Sequence, residues 1–204
     1  NDDSVKVYRA DDGTHVRTIC SSAVQDPNGI AIDGRRGIGY LTCSDDTVRA
    51  FNLTTGDMVA QWGGNGAGRG KFWNPRGLAV VGSELFVVDM HNHRVQARAI
   101  RRSSARLFLS GSGALPHQVF HAVEMHSESG RVILYSRTRG EFKRKFGGRG
   151  DEPGRFDHPW GIHAHGGLLY VSDRSRVQVF DVHGGLVDVH HVSGAGDLTG
   201  VSVG

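Results

Sequence analysis

The chain has 204 residues, and its 30 Gly stand against 5 Pro and 2 Cys. That length suits one ordinary domain or two small ones, and two Cys are too few for a disulfide scaffold. Lys and Arg number 24 against 21 Asp and Glu, for a formal net charge of +3, and no apolar run approaches the roughly eighteen residues of a membrane span.

The charge is unevenly spread. Residues 1–66 hold six basic and nine acidic side chains, residues 67–204 eighteen and twelve. The cationic bias of the larger part suits an anionic partner. No signal peptide is visible, and the Cys usage favours a cytoplasmic setting. Cys20 and Cys43 each sit in a strand-like context where a small buried hydrophobe is expected, and a single bridge between them stays open. Asn1 is not an initiator Met, so the chain reads as part of a longer protein.

In chain order, Val5-Lys6-Val7-Tyr8, the turn Asp11-Asp12-Gly13 and Val16-Arg17-Thr18-Ile19 predict the last two strands of a unit at 1–20. Pro27-Asn28-Gly29-Ile30-Ala31-Ile32, Tyr40-Leu41-Thr42-Cys43 and Thr47-Val48-Arg49-Ala50-Phe51 predict strands of a second unit, 26–63. A Gly-rich loop and Phe72 then lead into Pro75-Arg76-Gly77 and the apolar strand Leu78-Ala79-Val80-Val81, opening a unit at 74–110. Its second strand is Leu85-Phe86-Val87-Val88-Asp89, and Met90-His91-Asn92-His93-Arg94 hands over to a third at Val95.

The same grammar returns as a Gly-rich loop, Phe156, Pro159-Trp160-Gly161-Ile162, Leu168-Leu169-Tyr170-Val171-Ser172-Asp173 and Arg176-Val177-Gln178-Val179-Phe180, a unit at 158–192. Leu198-Thr199-Gly200-Val201-Ser202-Val203 opens another at 198–204. Pro27 and Pro75 are 48 residues apart and Pro75 and Pro159 84, twice 42, so a worn copy is expected at 116–147, marked by Pro116. Residues 97–129 are irregular, and a long loop, a degenerate unit and a damaged reading frame are all compatible with them.

Short alternating runs joined by Gly, Asp and Asn turns are strand grammar. Four such strands every 40 to 48 residues predict an all-β fold, a β-propeller of four-stranded antiparallel blades. Phe72 and Phe156 are placed to plug the seams between blades. Pro75, Gly77, Pro159 and Gly161 form the entry turns, and Asp89 with Arg94 and Asp173 with Arg176 are candidate pairs tying two strands together.

These residues resemble the NHL repeat, named for an Asn-His-Leu/Arg tripeptide, which Asn92-His93-Arg94-Val95-Gln96 carries nearly whole. The copy at Arg176 has Arg174-Ser175 where the pair would stand, and Asp46-Thr47-Val48 is a looser match. The resemblance implies a propeller of five blades or a truncated six. It also implies a binding platform of the kind that caps ubiquitin ligases and translational regulators, where one face takes protein or RNA. One branch of the family is a peptidyl-hydroxyglycine amidating lyase, so the fold alone assigns no function.

The loops before each first strand and after each second strand are expected to open onto one face. That face collects Arg69, Lys71, Trp73, Asn74, Arg76, His91 and His93, with Arg149, Arg155, His158, Trp160 and Arg174 from the other good unit. Arg and Lys among aromatics suit phosphate contacts and base stacking, and equally a protein partner, since Trp and Arg dominate interface hot spots. A protein partner is favoured because no stacked aromatic array is apparent, with RNA the alternative.

His163 and His165 share a face of a first strand and are the candidate metal ligands of a lyase-like reading, with His117 and His121 in the comparable part of the worn unit. The matching positions Ile30, Ile32, Leu78 and Val80 supply no further ligand, so no cofactor is assigned. The Gly-rich loop at 63–70 precedes a strand and opens no helix, so it lacks the mechanism of a phosphate loop. The expectation is a non-catalytic interaction scaffold.

Overall fold

The computed structural model describes residues 3–19, 24–100, 122–126, 131–135, 142–192 and 197–202. Among them the fold is all-β and antiparallel, with a single 3₁₀ turn, Met90–Asn92. The strands are β1 (Val5–Tyr8), β2 (His15–Ile19), β3 (Pro27–Asp33), β4 (Ile38–Cys43), β5 (Thr47–Asn52), β6 (Met58–Gly63), β7 (Pro75–Val81), β8 (Glu84–Asp89) and β9 (Arg94–Ala99). They continue with β10 (Ala122–His126), β11 (Arg131–Tyr135), β12 (Phe142–Gly147), β13 (Pro159–His165), β14 (Leu168–Asp173), β15 (Arg176–Asp181) and β16 (Leu186–His191).

Three four-stranded sheets follow the same plan, in the orders β3-β4-β5-β6, β7-β8-β9-β12 and β13-β14-β15-β16. The pairs β1-β2 and β10-β11 are separate two-stranded sheets. Each first strand slips register at its entry turn, between Pro27 and Gly29, Pro75 and Leu78, and Pro159 and Ile162. Each third-to-fourth pairing slips as well, and β1-β2 carries the same slip at Val7/Tyr8, as the last two strands of a preceding sheet would. Slips at repeated places give repeated twist, so the sheets have a common shape.

The second sheet shows why this chain folds. In β8, Leu85, Phe86, Val87 and Val88 are all buried. The two-residue side-chain period sends Leu85 and Val87 to one face and Phe86 and Val88 to the other. One face packs on Tyr40, Val48 and Ala50 of the first sheet, with Phe72 between. The other packs on Ile162, Leu169, Val171 and Phe180 of the third, with Phe156 between. A third seam joins Ile19 of β2 to Leu41, Cys43 and Phe51. A strand buried on both faces has no polar side to show, which explains its continuous apolar run.

The entry-turn glycines set the spacing of the first strands. A Cβ on Gly77 would stand 2.8 Å from the Ile162 nitrogen and 2.9 Å from the Trp160 oxygen, and one on Gly161 would stand 2.9 Å from Gly200 Cα. Gly29 meets the Arg76 carbonyl oxygen in the same way. Thus β3, β7, β13 and the segment at 197–202 lie side by side in succession, closer than any side chain would permit.

The sequence spacing misplaces one strand. The spacing counts Phe142–Gly147 with the worn unit 116–147, yet this strand hydrogen-bonds to β9 as the fourth strand of the second sheet. The interval from Pro75 to Pro159 therefore contains one four-stranded sheet with a long insertion before its last strand. Arg144 holds β12 in place: its guanidinium meets both Glu84 carboxylate oxygens, at 3.0 and 2.5 Å, and donates to the Val182 carbonyl from Nε at 3.0 Å. The irregular stretch also begins later than 97, since β9 runs to Ala99. Cys20, Arg101, Arg102, Arg106, Pro116, His117, Gln118 and His121 lie outside the described residues, and Cys43 is a buried free thiol. No helix among the described residues is long and apolar enough to cross a membrane.

Candidate binding surface

Two buried carboxylates organise the Gly-rich loops. Asp89, at the end of β8, accepts hydrogen bonds from the Trp73 backbone N–H (2.7 Å), Arg94 Nε (2.6 Å), Gln96 Nε2 (3.0 Å) and Asn92 Nδ2 (2.9 Å). Arg94 then donates to the carbonyls of Ala67, Gly68 and Lys71, and Gln96 to that of Lys71. The third sheet repeats this with Asp173, Arg176 and Gln178 holding the loop at 147–157. Burial pushes both carboxyls upward from the ordinary range, against the pull of their N–H donors. Charge-assisted bonds of this number satisfy the oxygens of each carboxylate.

Those clamps present their loops at one end of the sheets. Trp73, beside the buried Phe72, is 53% exposed. Its indole meets the His91 ring edge-on at 5.3 Å; His91 and His158 are 6.4 Å apart, and His93 and His158 5.3 Å. The His158 backbone N–H donates to His93 Nδ1 at 3.4 Å, which ties the loops of two sheets together. Asn74 and His158, the residues before the two prolines, have φ of 55° and 66°. Asn and His tolerate that left-handed conformation better than most side chains.

Electrostatics divides the predicted cations. Arg76 stacks over Trp160 at 4.2 Å and donates to Asn28 Oδ1 at 2.8 Å, so it bridges all three sheets and is not a free surface charge. Burial lowers its basicity. Arg174 pairs with Asp157 at 2.7 Å, and the same carboxylate accepts from His158 Nδ1 at 2.9 Å. Arg69 lies over the Phe142 ring at 5.7 Å, and Lys71 donates to the Gly63 carbonyl at 3.0 Å. Arg149 and Arg155 are exposed on the second loop. His93 is pushed below its ordinary value by burial first, then by His158 and Arg149.

Sequence reasoning missed Asn28 and Asp157. Asn28 has no counterpart in the other entry turns, where Arg76 and Trp160 stand. Asp157 occupies the place of Trp73 in the Phe-x-x-Pro register, and that alignment was the available signal. Among the described residues, no three His, Cys, Asp or Glu side chains converge to hold a metal. His163 is half-buried opposite Tyr170 and His165 lies at the far end of β13.

No family model matches the chain, and no curated protein matches it. Its fold is similar to that of the computationally designed Ika8 protein, with a TM-score of 0.51 and 11% identity over 100% of this chain and 48% of that one. The designed Ika4 protein gives a TM-score of 0.47 and 10% identity over 88% and 81%. The chain thus spans about half the length of Ika8, and at such identity the likeness concerns the fold alone.

Proposed function

We propose that the chain is part of an NHL-like β-propeller in which each four-stranded sheet is a blade, and that it serves as a non-catalytic docking domain for a protein partner. The propeller reading is supported by three sheets of one plan packed face to face and by first strands that follow one another at backbone contact. The binding reading rests on one observation, the half-exposed Trp73 framed by His91, His93 and His158 on clamped loops. An aromatic held rigid and partly dry is the usual anchor of an interface.

RNA recognition on this surface is weaker. Single-strand binders use several open aromatic platforms, and here the second indole, Trp160, is already covered by Arg76.

A pull-down with the propeller, run with and without nuclease and repeated with Trp73→Ala, tests the proposal. A protein partner that survives nuclease and is lost with Trp73→Ala is the expected result. Partners retained by Trp73→Ala would overturn the assignment of this surface, and partners released by nuclease would turn it into an RNA site.

A further inference from the structure

The opposite end of the same three strands carries a second constellation. There the turns that close β3, β7 and β13 converge, about 20 Å along the strands from Trp73. They line an open cleft of about 400 Å³, within the volume range of small-ligand sites. Its walls are the turns Asp33 to Arg36, Gly82, and His165 to Gly167, and its apolar floor includes Val80 and Ala164.

The polar groups in this cleft are out of balance. Asp33, its one carboxylate, is buried and already engaged by the Arg36 guanidinium and the Arg36 backbone N–H. Arg36 Nη1 also donates to the Gly82 carbonyl at 2.9 Å, yet Arg36 Nε is buried with no partner. The Arg35 side chain is exposed and has neither hydrogen bond nor ion pair among the described residues, and the same is true of the His165 ring. A buried N–H without an acceptor is destabilising, more so when the group is charged. Arg35, Arg36 and His165 thus line the same cleft as a single carboxylate that is already engaged.

We infer that this cleft is a binding site for a small organic oxyanion, a phosphate monoester or carboxylate with an apolar body. The oxyanion meets Arg35, with His165 beside it and the Arg36 side chain forming part of the wall. The apolar body lies on Val80 and Ala164. Guanidinium forks recognise such oxygens in pairs, and the apolar floor gives an organic anion an advantage over a bare ion. This site is independent of the Trp73 surface, so either assignment can fail without the other.

Calorimetry with the full chain tests it, using phenyl phosphate, benzoate and inorganic phosphate as probes. Saturable binding of phenyl phosphate or benzoate at least tenfold tighter than inorganic phosphate is expected, and the stronger of the two names the oxyanion. Arg35→Glu should abolish that binding with an unchanged thermal midpoint, because the exposed Arg35 side chain has no hydrogen bond or ion pair among the described residues to lose. Trp73→Ala should leave it unaltered. Organic probes no tighter than inorganic phosphate, binding that survives Arg35→Glu, or binding lost with Trp73→Ala would each overturn the inference.

Discussion

Asp89 and Arg94 meet at 2.6 Å with side-chain exposures of 0% and 6%, and through them the backbone of a distant loop is held to the end of two strands. The pair is embedded in donors and carbonyls that leave little of either charge unmatched. Its energetic meaning lies in what happens when one member is removed. Asp89→Ala strands a buried guanidinium and should cost about 3–5 kcal/mol. Denaturant unfolding should show that loss, and Asp173→Ala should repeat it in the third sheet. A change below about 1 kcal/mol for both would remove the clamp from the account.

Close strand approach makes a second prediction. Gly77→Ala places a methyl against the backbone of Trp160 and Ile162, which cannot swing aside as a side chain would. The expected cost is about 1–3 kcal/mol, the usual range for overpacking. Gly34→Ala is the control, because a Cβ there meets nothing within 4 Å. Thermal midpoints of the two variants should separate by several degrees.

Seam and surface aromatics should also part company. Phe156→Ala empties a fully buried site between two sheets and should cost about 3–5 kcal/mol. Trp73→Ala removes a larger side chain from a half-exposed position and should change stability by no more than roughly 0.5 kcal/mol. The same denaturant series reads both.

His93 adds a pH dependence of stated sign. Its pKa in the folded protein lies below the ordinary value of about 6.5, because burial, His158 and Arg149 disfavour the cation. The folded state therefore prefers the neutral ring, whose Nδ1 accepts the His158 N–H. The associated stability is fully present above the unfolded pKa and is lost as pH falls through the folded one. Ring titration by NMR should place His93 below the free imidazole. The fall in thermal midpoint between pH 7.5 and 5 should be smaller in His93→Asn.

Much of this architecture was legible in local pattern. The Pro-x-Gly turns at Pro75 and Pro159 and the strands that follow could be placed from the sequence because each answers a backbone requirement within a few residues. The sheet that Phe142–Gly147 joins is not legible in sequence, because its alternation suits any fourth strand and does not record which neighbour supplies the edge hydrogen bonds. An insertion as long as one unit imitates a unit. The surface was legible in its membership and illegible in its chemistry. Arg76 looks like an open cation until Trp160 and Asn28, far away in the chain, are brought against it.

The pairing of β12 with β9 has a consequence for how the chain tolerates change. The corresponding connections in the other two sheets take only a few residues, whereas residues 100–141 intervene here. Loop-closure entropy grows with the logarithm of length, so a connection roughly eight times longer adds only about 2 kcal/mol. The bonds of Arg144 to Glu84 and Val182 favour docking against that cost. This junction is thus an address rather than a hinge: the edge strand is recognised by where its contacts lie, and the length of the connection that delivers it matters little.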